Sequence, residues 1–280
     1  TLGRTGLKVG VAGLGCGGFS RLGLATGKTE AEAVALVKRA VDLGVTLFDT
    51  AAAYGTEGVV GQGLQGVRDK VVITTKAMIH EGKERIAPDK VVASLEKSLT
   101  LLRTDRIDVF QLHGVRPADY DWAVSTILPV LKREQEKGKF RFLGITEGAV
   151  SDTKAEMLSR AVQDDHWDTM MLAFHMMHQN ARASIFPRTR QQRVGTLLML
   201  LFVLPAEFHI DLTGFGASTD LNRLAGAEEV QVKAPAGAAA TLTHMTNVAF
   251  RTDQVDIPLE SGDQPDGSEI EYKEIGRAHV

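Results

Sequence analysis

One cysteine, Cys16, stands in the whole 280-residue chain, so no disulfide can form within it. That excludes a small fold stapled by bridges and fits a reducing compartment. An excess of one charge is also missing. Lys and Arg number 32 against 35 Asp and Glu, a net charge of -3. This offers no electrostatic case for nucleic acid or an anionic membrane as partner. Apolar runs of membrane-spanning length are absent, and the strongest, GTLLMLLFVLPA, is too short. No signal-like segment precedes the first predicted strand, and a cytoplasmic location is expected. There is no internal repeat.

What is present is a hydrophobic content of 44%, enough for a sizeable core. Up to residue 199 strands and helices alternate. VGVAGLG reads as a strand that ends near Cys16, taken as a small core residue. Thr29-Glu30-Ala31-Glu32 has the form of a capping box, opening a helix with Val34, Val37 and Val41 on one face and a stop at Gly44. Strand VTLFDT, a short helix over residues 57–64 and strand VVITTKA follow. Pro88 starts a helix whose apolar stripe is Val91, Leu95, Leu99 and Leu102. Strand IDVFQLHG comes next. A helix then turns Val124, Ile127, Leu128 and Leu131 inward, its tail KREQEKGK reading as a solvated face. Strand RFLGIT, a helix over 154–162, strand TMMLAFHMM, a helix over 182–193 and strand GTLLML complete seven strands.

Such alternation predicts a parallel sheet with helices outside it. Seven strands point to a (β/α)8 TIM barrel, incomplete after the seventh. Two regions are therefore expected, a barrel over 1–199 and an unassigned, possibly non-native tail over 200–280. The tail holds Gly- and Ala-rich runs and a polar stretch, ESGDQPDGSE, that reads as disordered. The last six residues, Ile275-Gly276-Arg277-Ala278-His279-Val280, are what ATC GGA AGA GCA CAC GTC encodes. That string belongs to a common short-read sequencing adapter, whose next codon in this frame is TGA. A truncated or frameshifted fragment with an adapter-derived end is the expectation, and a longer natural frame in the source DNA would overturn it.

Strand C-terminal ends converge on one face of a β/α fold, where ligands bind. Asp49, Tyr54, Lys76 and His113 all fall at or just beyond such ends. An acid, a phenol, an amine and an imidazole can meet there and protonate a carbonyl oxygen while a hydride reaches the carbon. Tyr54 is the candidate general acid. A free phenol has a pKa of about 10, and the Lys76 ammonium is expected to lower it. Asp49 would pair with Lys76, and His113 would orient the carbonyl or relay the proton. Each residue alone has a plainer reading. Tyr54 can be a half-buried aromatic, Lys76 a surface lysine, Asp49 a helix N-cap and His113 a hydrogen-bonded loop residue. Their joint placement favours the chemical reading.

Gly13-Leu14-Gly15-Cys16-Gly17-Gly18 also matches G-x-G-x-x-G, with Asp49 where a dinucleotide fold places its ribose-binding acid. In a Rossmann unit the helix starts within the glycines, whereas here the helix signal begins near Thr29. Tight packing at a strand end explains the glycines equally well. His175 and His178 lie three apart in a predicted strand, where they face opposite sides, so no metal site is expected. PRTRQQR reads as a solvated helix face.

Four of these blocks resemble the aldo-keto reductase superfamily in order and spacing. LGRTGLKVGVAGLG is similar to its N-terminal hairpin and first barrel strand, and FDTAAAYG to its most distinctive block. TTKA carries the family lysine onto Lys76, and QLHG the family histidine onto His113. RFLGITE corresponds to the strand that presents a Ser-Asn pair to the nicotinamide carboxamide; here the pair is Thr146-Glu147. Phe174 stands where many members stack a Tyr on the nicotinamide. The resemblance implies a (β/α) barrel, NADPH as hydride donor bound near Gly15, Gly17, Asp49, Thr146, Glu147 and Phe174, and reduction of small-molecule aldehydes or ketones. The alternatives are an NADPH-binding regulatory protein akin to a channel subunit, and an inactive barrel fragment. Substrate identity and oligomeric state are not legible.

Overall fold

The computed structural model describes residues 1–148, 151–152, 154–174 and 178–199, and the backbone of 248–251. Seven parallel strands form the barrel wall: β1 (Ala12–Gly15), β2 (Leu47–Asp49), β3 (Val72–Met78), β6 (Ile107–Val115), β7 (Phe140–Glu147), β8 (Thr169–Ala173) and β9 (Gly195–Met199). A two-stranded ribbon, β4 (His80–Glu81) with β5 (Glu84–Arg85), stands beyond the end of β3. Among the described residues no eighth parallel strand follows β9. Instead β10 (Val248–Arg251) runs antiparallel between β9 and β1 and closes the ring. Neighbours in the ring follow chain order from β1 to β9. There is no reversal of strand order of the kind that creates a Rossmann crevice, so the glycine motif belongs to a barrel. No helix among the described residues is long and apolar enough to cross a membrane.

The helices lie outside: α1 (Glu30–Asp42), α2 (Glu57–Gly63), α3 (Pro88–Leu102), α4 (Tyr120–Trp122), α5 (Leu128–Glu136), α6 (Glu156–Ala161), α7 (Ala181–Ser184) and α8 (Phe186–Gln192). The Thr29 box forms. Its hydroxyl accepts from Glu32 N, and the Glu32 carboxylate accepts from Thr29 N at 2.9 Å. All four stripe residues of α3 are buried, each contributing about 1.5–3 kcal/mol over exposure. A π turn over Ala123–Ile127 joins α4 to α5. The single helix expected over 182–193 is broken at Ile185. Pro187 lacks an N–H and restricts the residue before it, so a new helix starts there. The helix expected from 154 begins later, where the Asp152 carboxylate caps Glu156 N and Met157 N at 2.8 and 2.9 Å. The KREQEKGK tail is solvated except for Glu134, which is buried and paired with Lys137 and Lys139.

Period-2 alternation sorts the strand residues. Leu14, Phe48, Ile73, Phe110, Leu143, Met170 and Leu198 face outward and share one core with the helices. Leu47, Val72, Val109, Met171 and Leu197 face inward, and Leu2 and Leu7 close this inner core from below. No strand precedes β1 among the described residues, in contrast to the expected hairpin. A short turn over Gly3–Thr5, with Leu2 N donating to Leu7 O at 2.7 Å, makes the plug. Gly195 admits it, since a Cβ there would fall 2.8 Å from Leu2 Cγ.

Candidate active site

Above that apolar floor the inner positions turn polar. Asp49, Thr74, Lys76, Gln111 and Thr146 are all buried on the upper inner wall. Lys76 Nζ donates to Asp49 Oδ2 at 2.6 Å and to Thr50 O at 2.8 Å, and Thr74 Oγ1 donates to the other oxygen of Asp49. Asp49 is therefore a buried ion-pair partner, and the N-cap reading falls away.

Tyr54 follows β2 on a tight turn over Ala52–Tyr54. Thr50 and Thr56 pin the base of that turn through their hydroxyls, 3.0 Å apart, and Gly55 ends it at a φ of 72°. The Lys76 ammonium lies 5.1 Å from the centre of the Tyr54 ring. His113 meets the same ring edge-on, 5.5 Å between centres. Gly114, at a φ of 59°, accommodates a register shift just past His113, and its N–H donates to Thr146 Oγ1 at 2.7 Å. On the far side of Tyr54, a Cβ at Gly17 would fall 2.7 Å from the Tyr54 Cζ. The ring thus packs directly on glycine backbone. Gly15 stands beside Asp49 in the β1–β2 register.

Burial and charge set the protonation states. Burial pulls the Lys76 ammonium down, but Asp49 and then Tyr54 outweigh it, so Lys76 stays charged. The expected lowering of Tyr54 is not the net result. Burial lifts the phenol above its ordinary value; the Lys76 charge pulls it down without prevailing, and Asp49 adds to the rise. Tyr54 therefore holds its proton at neutral pH. Burial first, then Lys76 and His80, push His113 down to about 3, leaving a neutral imidazole. Burial pushes the Cys16 thiol well up, with Asp49 adding to it, consistent with a core residue.

Glu147 ends β7. It is buried, and its Oε1 accepts from Ala173 N at 2.6 Å. Burial lifts its carboxyl to about 7, and its Oε2 is buried without a partner among the described residues. Phe174, the next residue along β8, is buried edge-on against Phe186 at 5.0 Å with the Arg182 guanidinium 5.8 Å above it. The structure thus links Asp49 to Lys76, and Lys76, His113 and Gly17 to Tyr54, with Gly15 beside Asp49. Thr146 joins them through Gly114, and Glu147 and Phe174 lie one strand further on. Thr50, through its carbonyl to Lys76, and Thr74, through its hydroxyl to Asp49, touch this group, and Gln111 is buried on the same wall. Thr74 and Gln111 share the inner face with Lys76 and His113 at period 2, and that spacing was their signal. Among the described residues no three His, Cys, Asp or Glu could hold a metal, and His175 lies outside them.

Residues 13–197 match the sequence profile described as the aldo/keto reductase family. The chain belongs to this family. L-galactose dehydrogenase of Arabidopsis thaliana is 35% identical over 204 residues, covering 70% of this chain and 62% of that protein. Aldo-keto reductase YhdN of Bacillus subtilis (strain 168) is 28% identical over 197 residues, covering 64% and 57%. The chain therefore spans less than two thirds of the length of these curated relatives. Among solved structures, an aldo/keto reductase from Klebsiella pneumoniae in complex with NADP and acetate superimposes with a TM-score of 0.52 at 26% identity, covering 66% of this chain and 61% of that one.

Proposed function

We propose that the chain is the catalytic portion of an NADPH-dependent carbonyl reductase. The observation that carries this reading is the contact of a protonated, half-buried Tyr54 with the charged Lys76–Asp49 pair and a neutral His113. The family match and the NADP complex of the Klebsiella relative support the cofactor. The residues fit its nicotinamide end. The unpaired Oε2 of Glu147 and the hydroxyl of Thr146 offer hydrogen bonds to a carboxamide. Gly15, beside Asp49, adds no side chain to the wall, Gly17 seats the Tyr54 ring, and Phe174 just past β8 offers an aromatic face for stacking.

Bound NADPH supplies a hydride to the carbonyl carbon. Tyr54 donates its phenolic proton to the carbonyl oxygen, so that the product is an alcohol and the phenolate is left beside Lys76. The ammonium, fixed by Asp49 and Thr50 O, stabilises that phenolate where water is scarce. The neutral His113 positions the carbonyl oxygen by hydrogen bonding and places no second cation beside Lys76. Replacing Tyr54 with Phe removes the proton donor and keeps the ring that packs on Gly17. Turnover with a panel of aldehydes and ketones should fall by at least ~10²-fold. NADPH binding, followed by nicotinamide fluorescence, should persist. Full turnover in Tyr54→Phe would refute the assignment.

A further inference from the structure

The opposite end of the barrel carries a cleft of about 240 Å³. Lys8 reaches it from the segment before β1, Arg68 and Lys70 from the turn before β3, Arg106 from the approach to β6, and Arg141 from β7. Two acids, Asp69 and Asp108, share the lining, which leaves a local charge of +3 on a chain whose net charge is -3.

The base of the cleft is already committed. Asp108, 3% exposed, pairs with Arg68 Nη2 at 2.8 Å and Arg141 Nη1 at 3.2 Å, and accepts from Ile73 N at 3.0 Å. Arg68 spends its other donors on Thr104 Oγ1, Val71 O and Arg106 O. Lys8, Lys70 and Arg106 are exposed and pair with no carboxylate among the described residues. Three such cations around one concavity, offset only by the exposed Asp69 carboxylate, repel each other on balance, and an anion seated between them relieves that repulsion. Arg106 and Arg141 can each fork onto an oxyanion, and the lysines act as point charges. The volume is below that of a typical drug-sized site, about 300 Å³ and above. It suits a short phosphate chain better than a bulky body.

We infer that this cleft binds a pyrophosphate or triphosphate group carried by a small molecule. The inference does not depend on the reductase reading. Val72 lines the cleft and Lys76 stands four residues up the same strand, ~13 Å away.

Isothermal titration of the full chain with inorganic pyrophosphate and tripolyphosphate at fixed ionic strength tests it. Saturable one-to-one binding is expected, tighter for tripolyphosphate. Lys70→Ala/Arg106→Ala should weaken it about tenfold or more, tenfold being the loss of at least one of the two charge-assisted hydrogen bonds removed. The bond from Arg68 goes to the Arg106 backbone carbonyl, so the double variant keeps the base intact, and a melting curve without ligand checks this. Should that variant fail to fold, Lys8→Glu at an exposed position must give the same loss. Three results would each overturn the proposal: no saturable binding, equal binding of sulfate at the same ionic strength, or unchanged affinity in the folded variant. The last would place the anion elsewhere on the chain.

Discussion

Glu147 is buried and His113 half-buried at the rim of the site, yet they give stability opposite dependences on pH. Burial raises Glu147 from a usual 4.5 to about 7. Between those values the folded chain holds more protons than the unfolded one, so stability falls as pH rises. Burial lowers His113 from a usual 6.5 to about 3. In that window the unfolded chain holds more protons, so stability falls as pH drops. Glu147→Gln should therefore flatten the loss between pH 4.5 and about 7, and His113→Asn the loss between 6.5 and about 3. Urea midpoints across pH 3–8 would read both, and an unchanged slope in Glu147→Gln would mean that its carboxyl is solvated. At this scale residue types and their spacing were legible in the sequence, since Asp49, Lys76 and His113 stand out against apolar strands. The protonation state of Tyr54 was not. It depends on how deeply neighbouring elements bury the ring, and that depth outweighs the lysine beside it.

Helix packing turns on positions that look unremarkable in the sequence. Gly61 in α2 rests on the end of α3, where an added Cβ would fall 2.6 Å from Leu102 Cα. Gly to Ala in a helix interior ordinarily gains about 1 kcal/mol. Here the backbone of α3 would have to move, so Gly61→Ala should instead destabilise by ~1–3 kcal/mol, the cost of overpacking. Thermal unfolding at matched pH would decide, and a raised Tm would show that α2 can shift freely. Helices α1 and α3 were readable because each carries its own cap or Pro start and an apolar stripe. The break at Ile185 and the late start of α6 were less legible. One needed Pro187 to be weighed as a new helix start, the other Asp152 as a cap beyond the apolar pattern. The turn over Gly3–Thr5 was missed because its leucines are buried by the barrel interior and not by a partner strand.

The ring of strands is uneven as a whole. The β6–β7 ladder runs in register from Ile107 to Val115 with one shift, whereas β1 meets β2 through two residue pairs and β10 supplies four residues. Native-state hydrogen exchange should find the slowest amides in β3, β6 and β7, and faster opening at the β1–β10–β9 seam. Equal protection at the seam would contradict this. The parallel wall was legible from alternation alone. The antiparallel closure was not, because β10 follows a long stretch with no strand–helix rhythm.

The apolar floor of Leu2, Leu7, Leu47, Val72, Val109 and Leu197 has a further consequence. It acts as an insulator. Among the described residues this floor places only apolar side chains below Tyr54 and Lys76, which favours proton exchange with bulk water through the upper mouth. A ligand seated at that mouth would slow this exchange and so influence when the phenol is recharged.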